Sequence, residues 1–263
     1  MEVSWLEKVE LACRQAFTGT HIPSHNFAHH QRVWNYALEI TRNLDRASSS
    51  NNDQAFLNLL VACYFHDTGL TINPGEDHGA DSLRILERWL ESNPNLKLLL
   101  SQSALDAVRL HDDKSYKQQG LNQHPLSLDN TLAILSIADD MDALGYLGIL
   151  RYTEIYLMRG IAAQDLPSKV AANLESRFQF MAQTIKSMPE LYHHQRQRYE
   201  ITLQFFSRWA KQDQSNSEYA TFAALVQSIV VEQKLDWKLL STALQNHPWT
   251  DLKQFTQELV AEM

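Results

Sequence analysis

The spacing of apolar residues constrains the fold of this chain most, because it follows the period of an α-helix almost everywhere. One stretch places apolar residues at i, i+4, i+7 and i+11, namely Val33, Ala37, Ile40 and Leu44. Segments with strict apolar–polar alternation, which are typical of half-buried strands, are absent from the sequence. Only 8 glycines and 7 prolines interrupt the 263 residues, and most of them fall between the helical stretches. The sequence therefore predicts an all-α fold.

Breaks in the apolar pattern predict the ends of the helices, among them helices over 27–46, 53–67, 95–111 and 127–144. A softer boundary near residue 165 divides a predicted core at 1–165 from a C-terminal helical extension at 166–263. We expect the extension to pack on the core. Its aromatic residues lie at helical spacing, which indicates either core packing or the interface of a homodimer.

The charge and hydropathy of the chain exclude several classes of partner. The formal net charge is -8 and the sequence pI is about 5.7, which argues against a general nucleic-acid binder because such proteins need a basic face. No apolar segment approaches the roughly 20 residues needed to span a bilayer. The N-terminus lacks a basic start followed by a long apolar run. We therefore expect a cytoplasmic protein that makes no membrane contact.

Histidines and aspartates stand where apolar helical stripes begin or end, and each continues its stripe toward the interior: His29, His66, Asp67, His78, His111 and Asp139. A lone inward-pointing histidine is more often a hydrogen-bonded core residue. Burying several such groups together is costly unless a cation is shared between them. Imidazole and carboxylate bind divalent metals, so the set predicts a buried site for Mn, Fe, Co, Ni, Mg or Zn. His30 is left outside the set because adjacent helical residues point about 100° apart.

Three motifs occur in a fixed order along the chain: HHQRV at 29–33, HD at 66–67 and ADDMDALG at 138–145. This order resembles the HD-domain superfamily of metal-dependent phosphohydrolases, and the resemblance covers roughly residues 20–210. The stretch 138–151 also resembles a bacterial subgroup of HD phosphohydrolases. The resemblance implies a helical bundle with additional C-terminal helices, in which the region 1–165 is the HD-domain metal-binding core.

The resemblance also implies which residues bind metal. One divalent ion would be held by His29, His66, Asp67 and Asp139. Members of the superfamily with two ions add two histidines between the HD pair and the last aspartate, and here His78 and His111 occupy that interval. In relatives with a single ion, histidines at these positions would instead contact a substrate phosphate. The sequence therefore leaves open whether the chain holds one ion or two.

The implied activity is hydrolysis of a phosphomonoester or of a nucleotide phosphate, so the expected partner is a small phosphorylated substrate. For such a reaction Asp67 would hold or orient the attacking water. His25 lies four residues before His29 and resembles the first histidine of HD-type cyclic-nucleotide phosphodiesterases, which protonates the leaving group. A capping or solvent-exposed role is the alternative for His25.

Cationic side chains would stabilise the negative charge that develops on the phosphoryl oxygens. The candidates are Arg32 and Arg151, which we predict to bind substrate, and Lys114, which we place with the catalytic residues. Arg32 could instead pair with a carboxylate, and Lys114 could be a solvated loop residue. Asp142 lies three residues after Asp139, so we expect it to orient a metal ligand or an arginine.

Two other functions fit the same residues. Some HD-domain relatives carry a di-iron centre with the ligand order His, His-Asp, His, His, Asp and cleave carbon bonds with dioxygen, and this sequence has that order. Bound iron with oxygen consumption would favour such an oxygenase. A non-catalytic metal- or nucleotide-binding regulator would instead bind tightly without turnover.

Overall fold

The computed structural model of the chain describes residues 4–45, 53–113, 126–212 and 217–262. These residues are almost entirely helical and contain no strand, which confirms the predicted all-α fold. No helix among them is long and apolar enough to cross a membrane. The helices form two compact units, each of which is described by itself below.

The first unit consists of the described residues of Met1–Thr20, His25–Met141 and Gln183–Met188. Its helices are α1 Trp5–Ala16, α2 Phe27–Asp45, α3 Asp53–Phe65, α4 Gly79–Glu91, α5 Pro94–Leu99, α6 Gln102–Leu110 and α7 Thr131–Asp142, the last of which ends one residue past the unit. Short 3-10 turns span Pro23–His25 and Thr68–Thr71.

Helix α3 is the centre of the first unit, where it contacts α1, α2, α4 and α6. Because it has neighbours on several sides, its apolar residues are not confined to one stripe, and every residue from Asn58 to Phe65 is buried. The helix ends at Phe65 rather than at the predicted residue 67. The His66–Asp67 pair therefore lies in the turn that follows α3.

The predicted single helix over 95–111 is wrong at Leu100 and Ser101, where the chain is extended and α5 gives way to α6. The side chain of Asn58 on α3 holds this break. Its Oδ1 accepts from the Ser101 backbone N–H at 3.0 Å, and its Nδ2 donates to the Ser101 Oγ at 2.8 Å. A side chain 43 residues away thus replaces the local helical hydrogen bonds, which the apolar period does not reveal.

The second unit consists of the described residues of His21–Ser24, Asp142–Ala182 and Pro189–Met263. Its helices are α8 Gly145–Met158, α9 Leu166–Thr184, α10 Pro189–Lys211, α11 Glu218–Leu225, a π-helix Val226–Glu232, α12 Trp237–Gln245 and α13 Thr250–Glu262. Helix α8 is the core of this unit and is buried over nearly its whole length, because α10, α13 and the π-helix contact it. The domain boundary near residue 165, and the packing of the extension on the core, stay predictions.

Candidate metal centre

Asp67 is the central side chain of a buried group of histidines and carboxylates in the first unit. Its Oδ1 lies 2.9 Å from the His78 Nε2 and 3.0 Å from the His111 Nε2. Its Oδ2 lies 3.2 Å from the His29 Nε2 and 3.4 Å from the His66 Nε2. Each oxygen of one carboxylate therefore faces a different pair of histidines.

The six predicted ligands consequently form two sets that share Asp67. The first set is His29, His66, Asp67 and Asp139, and the second is Asp67, His78 and His111; within each set the ligand atoms lie within 4.8 Å of one another. The Asp139 Oδ1 completes the first set at 3.6 Å from the His29 Nε2. The Asp139 side chain is 22% exposed, whereas that of His29 is fully buried.

Backbone carbonyls fix the orientation of three of the four imidazoles. The Nδ1–H groups of His66, His78 and His111 donate to the carbonyls of Cys63, Gly75 and Val108 at 2.9, 2.9 and 2.8 Å. A carbonyl oxygen only accepts hydrogen bonds, so each Nδ1 must carry the proton and the neutral ring keeps its lone pair on Nε2. All three lone pairs point toward Asp67, which is the arrangement that metal-binding histidines adopt.

The same tautomers bring the nitrogen lone pairs of His78 and His111 into close opposition, because both Nδ1 atoms carry the proton. Their Nε2 atoms lie 3.0 Å apart and have no proton to share between them. The Nε2 atoms of His29 and His66 lie 3.2 Å apart. A cation, either a metal ion or an added proton, removes the repulsion. The donor set therefore fits divalent ions in both subsites.

Electrostatics favour the metal-binding protonation states of Asp67 and His66. At His111 burial lowers the pKa, but the hydrogen bond and charge of Asp67 outweigh burial and raise that pKa. Burial by itself raises the pKa of the Asp67 carboxyl, but His66, His111 and His29 around it bring that pKa well below its usual range. Burial also lowers the pKa of His66. The site thus presents an ionised carboxylate and a neutral imidazole, the forms that metal coordination requires.

Helix α4 supports the turn that carries His66 and Asp67. The Ser82 Oγ accepts from the Gly69 N–H at 2.8 Å and donates to the carbonyl of His66. A Cβ atom at Gly69 would lie 2.1 Å from the carbonyl oxygen of His78, so only glycine allows this approach. The 3-10 turn after Asp67 is therefore held against the start of α4.

His30, which the helical period excluded from the predicted set, lies beside the cluster. It is fully buried, its ring centroid is 4.9 Å from that of His66, and its Nδ1 donates to the Cys63 carbonyl at 2.9 Å. The same carbonyl accepts from the His66 Nδ1 at 2.9 Å. His30 thus shares the carbonyl that orients a predicted ligand. The helical period could not reveal this role of His30. His29 and His30 lie on different faces of α2, and both faces are buried at these residues.

The remaining predicted residues differ in their surroundings. His25 is buried in the 3-10 turn before α2, with its ring centroid 5.4 Å from that of His29. Arg32 is half-buried on α2. Lys114 lies outside the described residues. The catalytic and substrate-binding roles of these three residues stay predictions.

Asp142 and Arg151 lie in the second unit, where both are buried. The Asp142 Oδ2 accepts from the Arg151 Nη1 at 2.9 Å. The predicted role of Asp142, to orient a metal ligand or an arginine, stays a prediction. The substrate contact predicted for Arg151 stays a prediction.

Comparison with known proteins supplies one match. Residues 26–144 match the family model described as HD domain, a span that contains all six clustered ligands. No match was found among curated proteins or among solved structures. The matched span, the all-α fold and the paired ligand sets agree with the family predicted from the sequence. Residues 26–144 therefore belong to the HD-domain superfamily.

Proposed function

We propose that the chain is a metal-dependent phosphohydrolase that cleaves a phosphomonoester or a nucleotide phosphate. HD-domain proteins are generally metal-dependent hydrolases, and the matched span carries the complete ligand set. The observation that supports the proposal best is the Asp67 carboxylate, whose two oxygens face two separate pairs of histidines. A carboxylate in this position can hold two cations close enough to act on one phosphoryl group.

The ligand sets define which residues would hold the ions. The first set has two histidines and two carboxylates, and the negative charge of the carboxylates favours a divalent ion. The second set consists of two further histidines and the shared Asp67. Bound divalent ions would supply an activated water near neutral pH and positive charge for the phosphoryl oxygens. Histidine and carboxylate ligands suit Mn, Fe, Co, Ni, Mg or Zn, and availability often decides among them.

The residues of the chain would perform the remaining tasks. The Asp67 carboxylate is an acceptor in its ionised form, so it can orient the attacking water toward phosphorus. His25 lies next to His29 and can donate a proton to the leaving oxygen from its imidazole. Arg32 follows His29 by three residues on α2 and can neutralise a substrate phosphate. The substrate would be small and phosphorylated, which the net charge of -8 allows because the bound ions would supply local positive charge.

Phosphate release tests the proposal. Metal-stripped protein is resupplied with each of the six metals and offered a panel of nucleotides and phosphomonoesters. We expect turnover that depends on an added ion and is abolished in Asp67→Ala. The matched control is Asp106→Ala, because Asp106 is a 43% exposed aspartate on α6 that lies 3.9 Å from the Arg109 guanidinium and outside both ligand sets. Absence of turnover with every metal and substrate would contradict the proposal.

A di-iron oxygenase is the second candidate, because the six ligands occur in the order expected for such a centre and form two sets around one shared carboxylate. Iron retained through purification, together with oxygen uptake and no phosphate release, would favour the oxygenase. Tight nucleotide or metal binding with neither reaction would favour a regulator.

A further inference from the structure

We infer that Asp112 is a positioning residue that holds His78 and His111 together as one cation subsite. The inference rests on the proposed function only in requiring that these two histidines bind an ion. Asp112 directly follows His111, and its Oδ2 accepts from the backbone N–H of Gly79, which directly follows His78, at 2.6 Å. One hydrogen bond therefore ties together the backbone beside each histidine.

The start of α4 depends on this contact. The first N–H groups of a helix have no partner within the helix, and a side chain usually supplies the acceptor. The N-cap residue of α4 is His78, whose side chain makes no capping hydrogen bond because its imidazole faces Asp67. Asp112 supplies the acceptor instead, and its negative charge is favourable at a helix N-terminus.

The two chain segments approach so closely that glycine is required at the contact. A Cβ atom at Gly79 would lie 2.3 Å from the carbonyl oxygen of Arg109 and 2.7 Å from the Asp112 Oδ1. The start of α4 thus rests directly on the end of α6. This approach brings the ring centroids of His78 and His111 to 4.9 Å.

The hydrogen bonds from the two Nδ1 atoms to backbone carbonyls cannot set this distance. The Gly75 and Val108 carbonyls fix the rotation of each ring within its own segment. Neither bond crosses from one segment to the other, whereas the Asp112–Gly79 bond does. The carboxylate also places negative charge 4.0 Å from the His78 Nδ1, the protonated side of the ring, which strengthens the ring as a metal ligand.

The effect of Asp112 should be confined to the second ligand set. His29, His66 and Asp139 come from α2, the end of α3 and α7, whereas the Asp112–Gly79 bond joins the end of α6 to the start of α4. Asp67 is shared, but its turn is held by the Ser82 hydroxyl, through hydrogen bonds to Gly69 and His66 that do not include Asp112. Loss of Asp112 therefore predicts weaker binding of one ion rather than of both.

Titration calorimetry of metal-depleted protein with Mn²⁺, in the absence of substrate, tests the inference. We expect two ions per wild-type chain. In Asp112→Ala the second ion should bind roughly 10- to 100-fold more weakly, as is typical when a group that orients a metal ligand is removed, while the first keeps its affinity. Asp112→Asn keeps an acceptor for Gly79 but loses the charge, so its effect should be intermediate. Asp106→Ala should match the wild type.

Three results would overturn the inference: one ion per wild-type chain, equal weakening of both ions, or an unchanged second ion in both Asp112 variants. Circular dichroism identifies a variant that has lost helix, and in that case Asp112→Asn alone decides. The measurement needs no turnover. If the protein binds two ions and releases no phosphate, the proposed function is contradicted, but the role of Asp112 is still tested.

Discussion

The ligand cluster around Asp67 in the first unit and the polar residues around Glu154 in the second unit both place charge in a protein interior. The two regions differ in whether the protein supplies hydrogen-bond donors to the buried acidic groups. Around Glu154 the protein supplies them, since the Ser24 N–H donates to the Glu154 carboxylate at 3.1 and 3.3 Å and Arg151 pairs with Asp142 at 2.9 Å. Around Asp67 the side chains present carboxylate oxygens and Nε2 lone pairs to one another.

This difference separates a polar core from a binding site. A buried acidic group with protein hydrogen-bond donors needs no added ion when the chain folds, so it contributes to the uniqueness of packing. A cluster of acceptors is complete only when a cation arrives, and the cost of holding it together is part of the free energy of ion binding. Burial alone would not distinguish the two groups, because both are almost inaccessible to solvent.

Breaking an ion pair of the second unit should have the largest effect on stability. Arg151→Met removes the guanidinium that pairs with the fully buried Asp142 carboxylate, so we expect a loss of about 3–5 kcal/mol in the free energy of unfolding. Urea denaturation measures this loss. The double variant Arg151→Met/Asp142→Leu removes both charges and should recover most of it. A single variant as stable as the wild type would show that the pair contributes no stability.

Glu154 should make stability depend on pH. Burial raises its pKa from 4.5 to about 7, so the folded chain holds this proton more tightly than the unfolded chain does. The contribution to stability is therefore complete below about pH 4.5 and is lost as the pH rises through 7. In Glu154→Gln the decline should be smaller by about 3 kcal/mol. Urea unfolding at several pH values tests this, with the half-exposed Glu200→Gln as control. Parallel pH profiles for wild type and Glu154→Gln would contradict it.

Metal ions should stabilise the first unit, because they bind the folded cluster and not the unfolded chain. At an ion concentration 100 times Kd, one site adds about 2.7 kcal/mol to the free energy of unfolding. We expect Mn²⁺ to raise the unfolding midpoint of the wild type and to leave Asp67→Ala unchanged. An equal rise of the unfolding midpoint in both proteins would show that the ion binds outside the Asp67 cluster.

The smallest expected effect concerns Ser82, whose hydroxyl supports the turn of the ligand cluster. Ser82→Ala leaves the buried Gly69 N–H and His66 carbonyl without this partner, which should cost about 1–3 kcal/mol of stability. Because the turn carries Asp67, ion affinity should fall as well. Ser168→Ala, at an exposed serine of α9, is the matched control. Reduced stability with unchanged Mn²⁺ affinity would limit Ser82 to a structural role.

The fold class, the family and the six clustered side chains could all be predicted from the sequence, because each depends on residue types and on their spacing along the chain. Apolar residues at helical spacing specify helices, and ligands at the ends of apolar stripes are turned toward the interior with those stripes. The six predicted ligands do lie together, although their binding of metal stays a prediction.

The errors and omissions arose where distant residues compete with local preference. The break at Leu100 and Ser101 depends on hydrogen bonds to Asn58, and the role of His30 depends on a carbonyl 33 residues away. No helical period encodes either contact. The buried Glu154 likewise gave no sign in the sequence, since a glutamate in a helical pattern is usually exposed.

The sequence by itself determined that the chain would form helices with histidines and aspartates on their inner faces. Only the tertiary structure decided that the two oxygens of Asp67 face different histidine pairs, and that a hydrogen bond from Gly79 to Asp112 joins the segments carrying His78 and His111. Side-chain type and period specify which face of a helix is buried. The distances between ligands depend on how separate helices approach, which is set by close contacts such as those at Gly69 and Gly79.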